Sequence, residues 1–132
     1  MDDLYRDIIL DQYKHPHNTG WIDTAPAGNT LLQHKAGNAS CGDVFEISIL
    51  LSQDPTPRVM DVKWRGSGCA ISTASLSLVS EWLKGKTIEE IKALDQPTIL
   101  SLLGMDTISS GREKCVYLPL SLLRRITEVE VG

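Results

Sequence analysis

Asn38-Ala39-Ser40-Cys41-Gly42-Asp43 leads straight into Val44-Phe45-Glu46-Ile47-Ser48-Ile49-Leu50-Leu51, and this stretch carries both the fold and the chemistry. From Phe45 to Leu51 every second residue is apolar, the period of a strand with one face on a core. Where that strand begins, Cys41 and Asp43 stand two apart. Side chains i and i+2 leave the same face of an extended backbone, so a thiol and a carboxylate converge while Gly42 between them adds no bulk. That pair is half of a metal site. The other half must come from farther along, where only two more cysteines exist, Cys69 and Cys115. Each follows a turn-like stretch, Gly66-Ser67-Gly68 and Ser109-Ser110-Gly111-Arg112. Three sulfurs and one carboxylate would fill a four-coordinate site.

Working outward, Asp54-Pro55-Thr56-Pro57 is a turn. The alternation then resumes, with Met60, Val62 and Trp64 on one face and Asp61, Lys63 and Arg65 on the other, predicting an antiparallel hairpin. Residues 30–36 form a weaker first strand whose His34 is read as exposed. After Gly68 the period changes from two to about 3.6, with Ile71, Ala74, Leu78, Val79 and Trp82 along one side of a helix ending near Gly85. Cys69 lies at its start, where the dipole and unpaired amides favour a thiolate. Residues 3–14 read as an opening helix, with Leu4, Tyr5, Ile8, Ile9 and Tyr13 at helical spacing, stopped by His15-Pro16. A surface loop with solvated His15 and His17 follows. Thr87-Ile88-Glu89-Glu90 is a capping box, residues 98–103 form a short helix stopped by Gly104, and a last helix begins near Cys115 with Pro119 in its first turn. Leu120, Leu123 and Ile126 continue its buried stripe, and Cys115, like Cys69, is expected to face out.

The chain has 132 residues, 42% hydrophobic and 23% charged, the size and composition of one globular domain spanning 1–132. No apolar run approaches the ~20 residues that cross a bilayer. Met1-Asp2-Asp3 opens acidic where a secretory signal would be basic, so a cytoplasmic location without membrane attachment is expected. The net charge of −4 argues against nucleic acid as a partner. An odd cysteine count suits free thiols or a metal better than a disulfide framework. Taken singly, each cysteine reads as a small core residue; together they lie at junctions between loops and elements, where side chains are presented. A Cys–His dyad is the competing chemistry, with His34 alone placed to reach the first cysteine.

Asn38-Ala39-Ser40-Cys41-Gly42-Asp43, Gly66-Ser67-Gly68-Cys69-Ala70-Ile71-Ser72 and Arg112-Glu113-Lys114-Cys115 resemble, in order, the three cysteine motifs of the U-type iron–sulfur scaffold family (IscU, SufU and the NifU N-terminal domain). Tyr5-Arg6 through His15-Pro16-His17-Asn18-Thr19-Gly20 also resembles that family's opening helix and loop. The resemblance implies an α+β fold, a three-stranded antiparallel sheet packed against about five helices in one domain. It further implies a [2Fe-2S] cluster, or iron, or Zn2+ in the same site, held by Cys41, Asp43, Cys69 and Cys115. The implied partners are a cysteine desulfurase that donates persulfide and apo iron–sulfur proteins that receive the cluster, with the scaffold a monomer or weak homo-oligomer. Cys41 and Cys115 are the candidate persulfide acceptors.

Departures from the pattern separate two readings. Ala39 stands where proline is usual, and Lys114 where Isc-type members carry histidine. Thr107-Ile108-Ser109-Ser110-Gly111 replaces their Leu-Pro-Pro-Val-Lys chaperone segment, which argues against release by that route. Lys114 resembles the SufU-type pattern, a zinc-dependent sulfur acceptor that relays persulfide. The 46 positions from Cys69 to Cys115 are too few for the insertion typical of that branch.

Overall fold

The computed structural model describes residues 2–38, 43–107 and 113–131. The opening helix, α1 (Asp2–Lys14), precedes three strands, β1 (Thr30–Asn38), β2 (Asp43–Leu51) and β3 (Val59–Ser67), and five further helices: α2 (Ala70–Leu83), α3 (Ile88–Lys92), α4 (Gln96–Leu103), α5 (Glu113–Val116) and α6 (Leu118–Val131). The strands form one antiparallel sheet in the order β1-β2-β3. Among the described residues six helices accompany it, where about five were expected.

The alternation of β2 is realised in full, with Phe45, Ile47, Ile49 and Leu51 at most 1% exposed. Phe45 meets Trp64 edge to face at 5.9 Å between ring centroids. In β3 the expected inward set is corrected at one position. Val62 and Trp64 are buried, but Met60 is 56% exposed and Val59 is buried instead. A register shift between Leu50 and Leu51 pairs Leu51 with Val59, so an extra residue in β3 reverses which face the strand start presents. His34, expected exposed, is half-buried; it sits opposite Ile47 and therefore on the core face.

Helices cover that face, α2 against β3 and α6 against β1. Far from presenting one apolar side, α2 is buried nearly all round from Ser72 to Ser77, and again at Val79, Ser80 and Leu83. Its serines are small enough for other elements to approach closely, and each finds a partner: Ser77 Oγ donates to Gln12 Oε1 at 2.6 Å, Ser75 Oγ to the Val116 carbonyl at 2.6 Å and Ser80 Oγ to the Ser77 carbonyl at 2.6 Å. On α1 this seats Gln12 inward while Tyr13, expected in the apolar stripe, is 50% exposed.

The opposite face of the sheet is crossed by the loop after α1. Trp64 donates its N–H to the Asn18 carbonyl and accepts from the Gly20 N–H, at 3.0 and 2.9 Å, so the loop runs briefly parallel to β3. Further on, the Ile22 N–H reaches Ser48 Oγ at 3.1 Å and the Ile22 carbonyl accepts from Gln33 Nε2 at 2.8 Å. Those bonds let Ser48 be fully buried on a face that the alternation alone reads as solvated.

The capping box is present, Thr87 Oγ1 accepting from the Glu90 N–H and Glu90 Oε1 from the Thr87 N–H. Gly104 stops α4 in the left-handed region at φ 74°. The single last helix expected from Cys115 is instead two, parted at Tyr117. Pro119 has no N–H to give to the Cys115 carbonyl and its ring crowds that oxygen, so the chain restarts and Pro119 takes the second position of α6.

Candidate metal centre

The β1–β2 register brings Asn38 opposite Asp43, so four residues close the hairpin. Cys41 is among those four and lies outside the described residues, as does Arg112. Asp43 opens β2 through its backbone. One row inward, Val44 is paired with Ser67 at the last position of β3. Neighbouring strands stand about 4.8 Å apart, and two residues past Ser67 the chain reaches Cys69, a span of at most about 7 Å. Asp43 and Cys69 are therefore delivered to one end of the sheet by its register.

Gly66 makes that end close. Its φ is +137°, and a Cβ there would stand 2.1 Å from the Val44 carbonyl oxygen and 2.7 Å from Phe45 Cα, so no other residue fits. The chain then turns at Gly68 and enters α2 with Cys69 as N-cap, φ −70° and ψ 164°. Cys69 is exposed. Its Sγ accepts the Ser72 N–H at 3.4 Å and lies 3.3 Å from Ser72 Oγ. The Ser72 N–H and the helix terminus both present positive partial charge to this sulfur.

Cys115 comes from the far side of the sequence. It sits in α5, which packs against α2. The Ser75–Val116 hydrogen bond ties the next residue to the second turn of α2, six positions past Cys69 and so about 9 Å along the helix. Against the expectation that it faces out, Cys115 is buried, with 9% of its surface accessible. It lies among the buried core residues, next to Val116 and Leu118. Beside it, burial and the Glu113 carboxylate push the Tyr117 hydroxyl above its ordinary range.

The histidines take no part in this arrangement. His15 and His17 are exposed, as expected of solvated loop residues. His17 has a structural use, its N–H held by Ser77 Oγ at 2.7 Å and its carbonyl by Trp64 Nε1 at 2.7 Å. His34 lies four rows along the ladder from the Asn38–Asp43 pair, about 13 Å; the dyad reading turns on Cys41, which lies outside the described residues. Among the described residues no three His, Cys, Asp or Glu side chains gather around one point; Cys69 and Cys115 are the two candidate ligands whose side chains are described.

Residues 4–125 match the NifU-like N terminal domain. The chain belongs to that family. Among the relatives of this NifU-like domain is the iron-sulfur cluster assembly scaffold protein IscU 1 of Archaeoglobus fulgidus, 32% identical over 122 residues, which cover 92% of this chain and 73% of the relative. The zinc-dependent sulfurtransferase SufU of Bacillus subtilis is 38% identical over 89 residues, covering 67% of this chain and 54% of that protein. The crystal structure of a protein proposed as the iron-sulfur cluster assembly scaffold of the SUF system in Fervidobacterium islandicum AW-1 superposes with a TM-score of 0.69 at 26% identity, covering 95% of this chain and 97% of the other.

The sequence reads Ala70, Ser72, Ala74 and Ser75 as small residues that let other backbone approach closely, which the Ser75–Val116 contact bears out; what it did not foresee is that Ser72 holds Cys69 and Ser75 the α5 backbone by hydrogen bonds. Their signal was four serines in the first three turns of a helix otherwise apolar, Ser72, Ser75, Ser77 and Ser80, a composition that suits close packing better than a solvated face.

Proposed function

We propose that this chain is an iron–sulfur cluster assembly scaffold that receives sulfur from a cysteine desulfurase, builds a [2Fe-2S] cluster and passes it to apo-proteins. The observation that supports this best is the delivery of the start of β2, the end of β3 and the N-cap of α2 to one end of the sheet, with α5 tied to α2. Cys41, Asp43, Cys69 and Cys115 are the proposed ligands. Thiolates are soft donors suited to iron–sulfur clusters and to zinc, whereas Asp43 is harder and more exchangeable, the ligand to let go when the cluster leaves.

Sulfur enters by exchange. A cysteine thiolate of the scaffold attacks the outer sulfur of the donor persulfide, a new S–S bond forms, the donor's S–S bond breaks, and the donor cysteine leaves as thiolate. Sulfide then forms by two-electron reduction of the transferred sulfur, the electrons coming from an external thiol or one-electron carrier. Cys41 and Cys115 are the proposed acceptors, Cys115 buried in α5 and Cys69 exposed as a further ligand.

A second reading, a zinc-dependent sulfur relay, is favoured by Lys114 and by the likeness to SufU. When bound, zinc would supply three deprotonated thiolates, one of which becomes nucleophilic once displaced. Anaerobic incubation with ferrous iron, a cysteine desulfurase and cysteine separates the readings. The scaffold yields a coloured, zinc-free protein that activates an apo-ferredoxin; a colourless zinc protein that accelerates the desulfurase sinks it in favour of the relay. Asp43→Ala is expected to retain a bound cluster longer, and faster cluster loss would contradict the role given to Asp43.

A further inference from the structure

Cys69 caps α2 with its sulfur, and Ser72 meets that sulfur twice, with its main-chain N–H at 3.4 Å and with its hydroxyl oxygen at 3.3 Å. The two residues differ in exposure. Ser72 is fully buried whereas Cys69 is exposed, so both contacts reach the sulfur from the protein side. A thiol can give its own proton to the hydroxyl, but a thiolate or a metal-bound sulfur has none, and in those states Ser72 Oγ is the donor of the pair.

The same chain holds an oxygen counterpart of this arrangement. Asp95 caps α4, and Thr98, again three residues on, gives its carboxylate the main-chain N–H at 3.0 Å and the hydroxyl at 2.6 Å. That hydroxyl, ahead of the N–H, holds the Asp95 carboxyl below its ordinary value of 3.8. The main-chain bond belongs to N-caps in general, and the hydroxyl bond is what serine or threonine at this position adds. In α3 the corresponding residue is Glu90, whose side chain reaches back to the Thr87 N–H and leaves the capping oxygen with the main-chain bond from Glu90. A hydroxyl aimed at the cap is therefore a matter of residue choice, and at Cys69 it falls on a proposed ligand.

We propose that Ser72 is a positioning residue that sets how firmly Cys69 holds its cargo: the main-chain N–H fixes the sulfur, and the hydroxyl, by donating to it, loosens the metal–sulfur bond so that the metal or cluster can leave. This rests on Cys69 being a ligand, as proposed above. A hydrogen bond to a ligating thiolate draws off charge that the sulfur otherwise gives to the metal. Asp43 eases release as a hard ligand; Ser72 does so at a soft one.

Two measurements test it. In the first, the full chain is loaded with 113Cd, whose spin couples through a ligating sulfur to protons hydrogen-bonded to that sulfur. The Cys69 β protons, the Ser72 amide proton and the Ser72 hydroxyl proton should all correlate with the metal. Correlation of the amide without the hydroxyl overturns the proposal, whereas bound cadmium that shows no correlation to the Cys69 β protons overturns Cys69 as a ligand and with it the reading beneath. In the second, zinc-loaded chains are mixed with excess chelator and the release of zinc is timed. Ser72→Ala keeps the main-chain bond, loses the hydroxyl alone and suits a helix. It should release zinc about fivefold more slowly than the wild type, with Ser72→Thr close to the wild type. Equal rates for Ser72→Ala and the wild type overturn the proposal, and faster release from Ser72→Ala overturns it in favour of a simple brace. The cadmium spectrum uses the unaltered chain, so it decides by itself if a variant does not fold.

Discussion

Gly66 carries a constraint that few single atoms impose. Two effects forbid a side chain there: a positive φ, and the Val44 carbonyl 2.1 Å from the site of a Cβ. Gly85 separates them, since its φ is +82° with nothing within 4 Å. Gly85→Ala is expected to cost about 1–2 kcal/mol from backbone conformation alone. Gly66→Ala adds displacement of β2 and is expected to cost about 3 kcal/mol or more. Urea denaturation of both variants checks this, and equal losses would show that the close approach of β2 and β3 carries no weight. Because Gly66 lies three residues before Cys69, its variant should also weaken the metal binding proposed above. At Cys69 the two Ser72 contacts hold the exposed sulfur where the sheet ends.

Two elements show how local chemistry and long-range pairing divide the work. The bulge at the start of β3 buries Val59 and exposes Met60, although the alternation assigns the reverse. Val59→Ala is expected to cost about 2 kcal/mol, whereas Met60→Ala should stay within about 0.5 kcal/mol; the opposite ranking in chemical denaturation would mean that the strand runs in its unbulged register. The helix starts, in contrast, are set locally. Glu90 is held below its ordinary value of 4.5, first by the hydrogen bond from the Thr87 N–H, and Asp95 below 3.8, first by the Thr98 hydroxyl. A carboxylate whose folded pKa is depressed stabilises the fold above its unfolded value and loses that contribution as pH falls through the folded one. The starts of α3 and α4 should therefore hold above about pH 5 and loosen progressively below their ordinary values. The amides of Thr87 and Thr98, which donate to these carboxylates, report this in an acid NMR titration, and chemical shifts already changing near pH 6 would contradict it.

At the scale of the molecule, α2 is the shared support. It packs on β3, α1, α4, α5 and α6, and its buried serines tie α1 through Gln12 and α5 through Val116. The proposed ligands come from the hairpin, α2 and α5, so an ion that joins them cross-links elements distant in sequence and binds the folded chain in preference to the unfolded one. Zinc at a hundredfold over its Kd is expected to add about 2.7 kcal/mol. Thermal unfolding with zinc and after chelation measures it, and a Tm unmoved by either would argue that the ligands do not meet.

Much of this architecture could be read from the chain itself. The strand period in β2, the switch to helical period after Gly68, the capping box at Thr87 and the stop at Gly104 each depend on residues within a few positions of one another, and local sequence determines such features. The spaced motifs around Cys69 and Cys115 likewise pointed to the family. What only the tertiary structure decided depends on partners far away: the bulge that exchanges Val59 for Met60, the loop that buries Ser48, the break at Tyr117, the inward turn of His34 and the burial of Cys115. A period tells which residues share a face. Which face meets a neighbour, and in which register, is set by packing between segments that the sequence keeps apart.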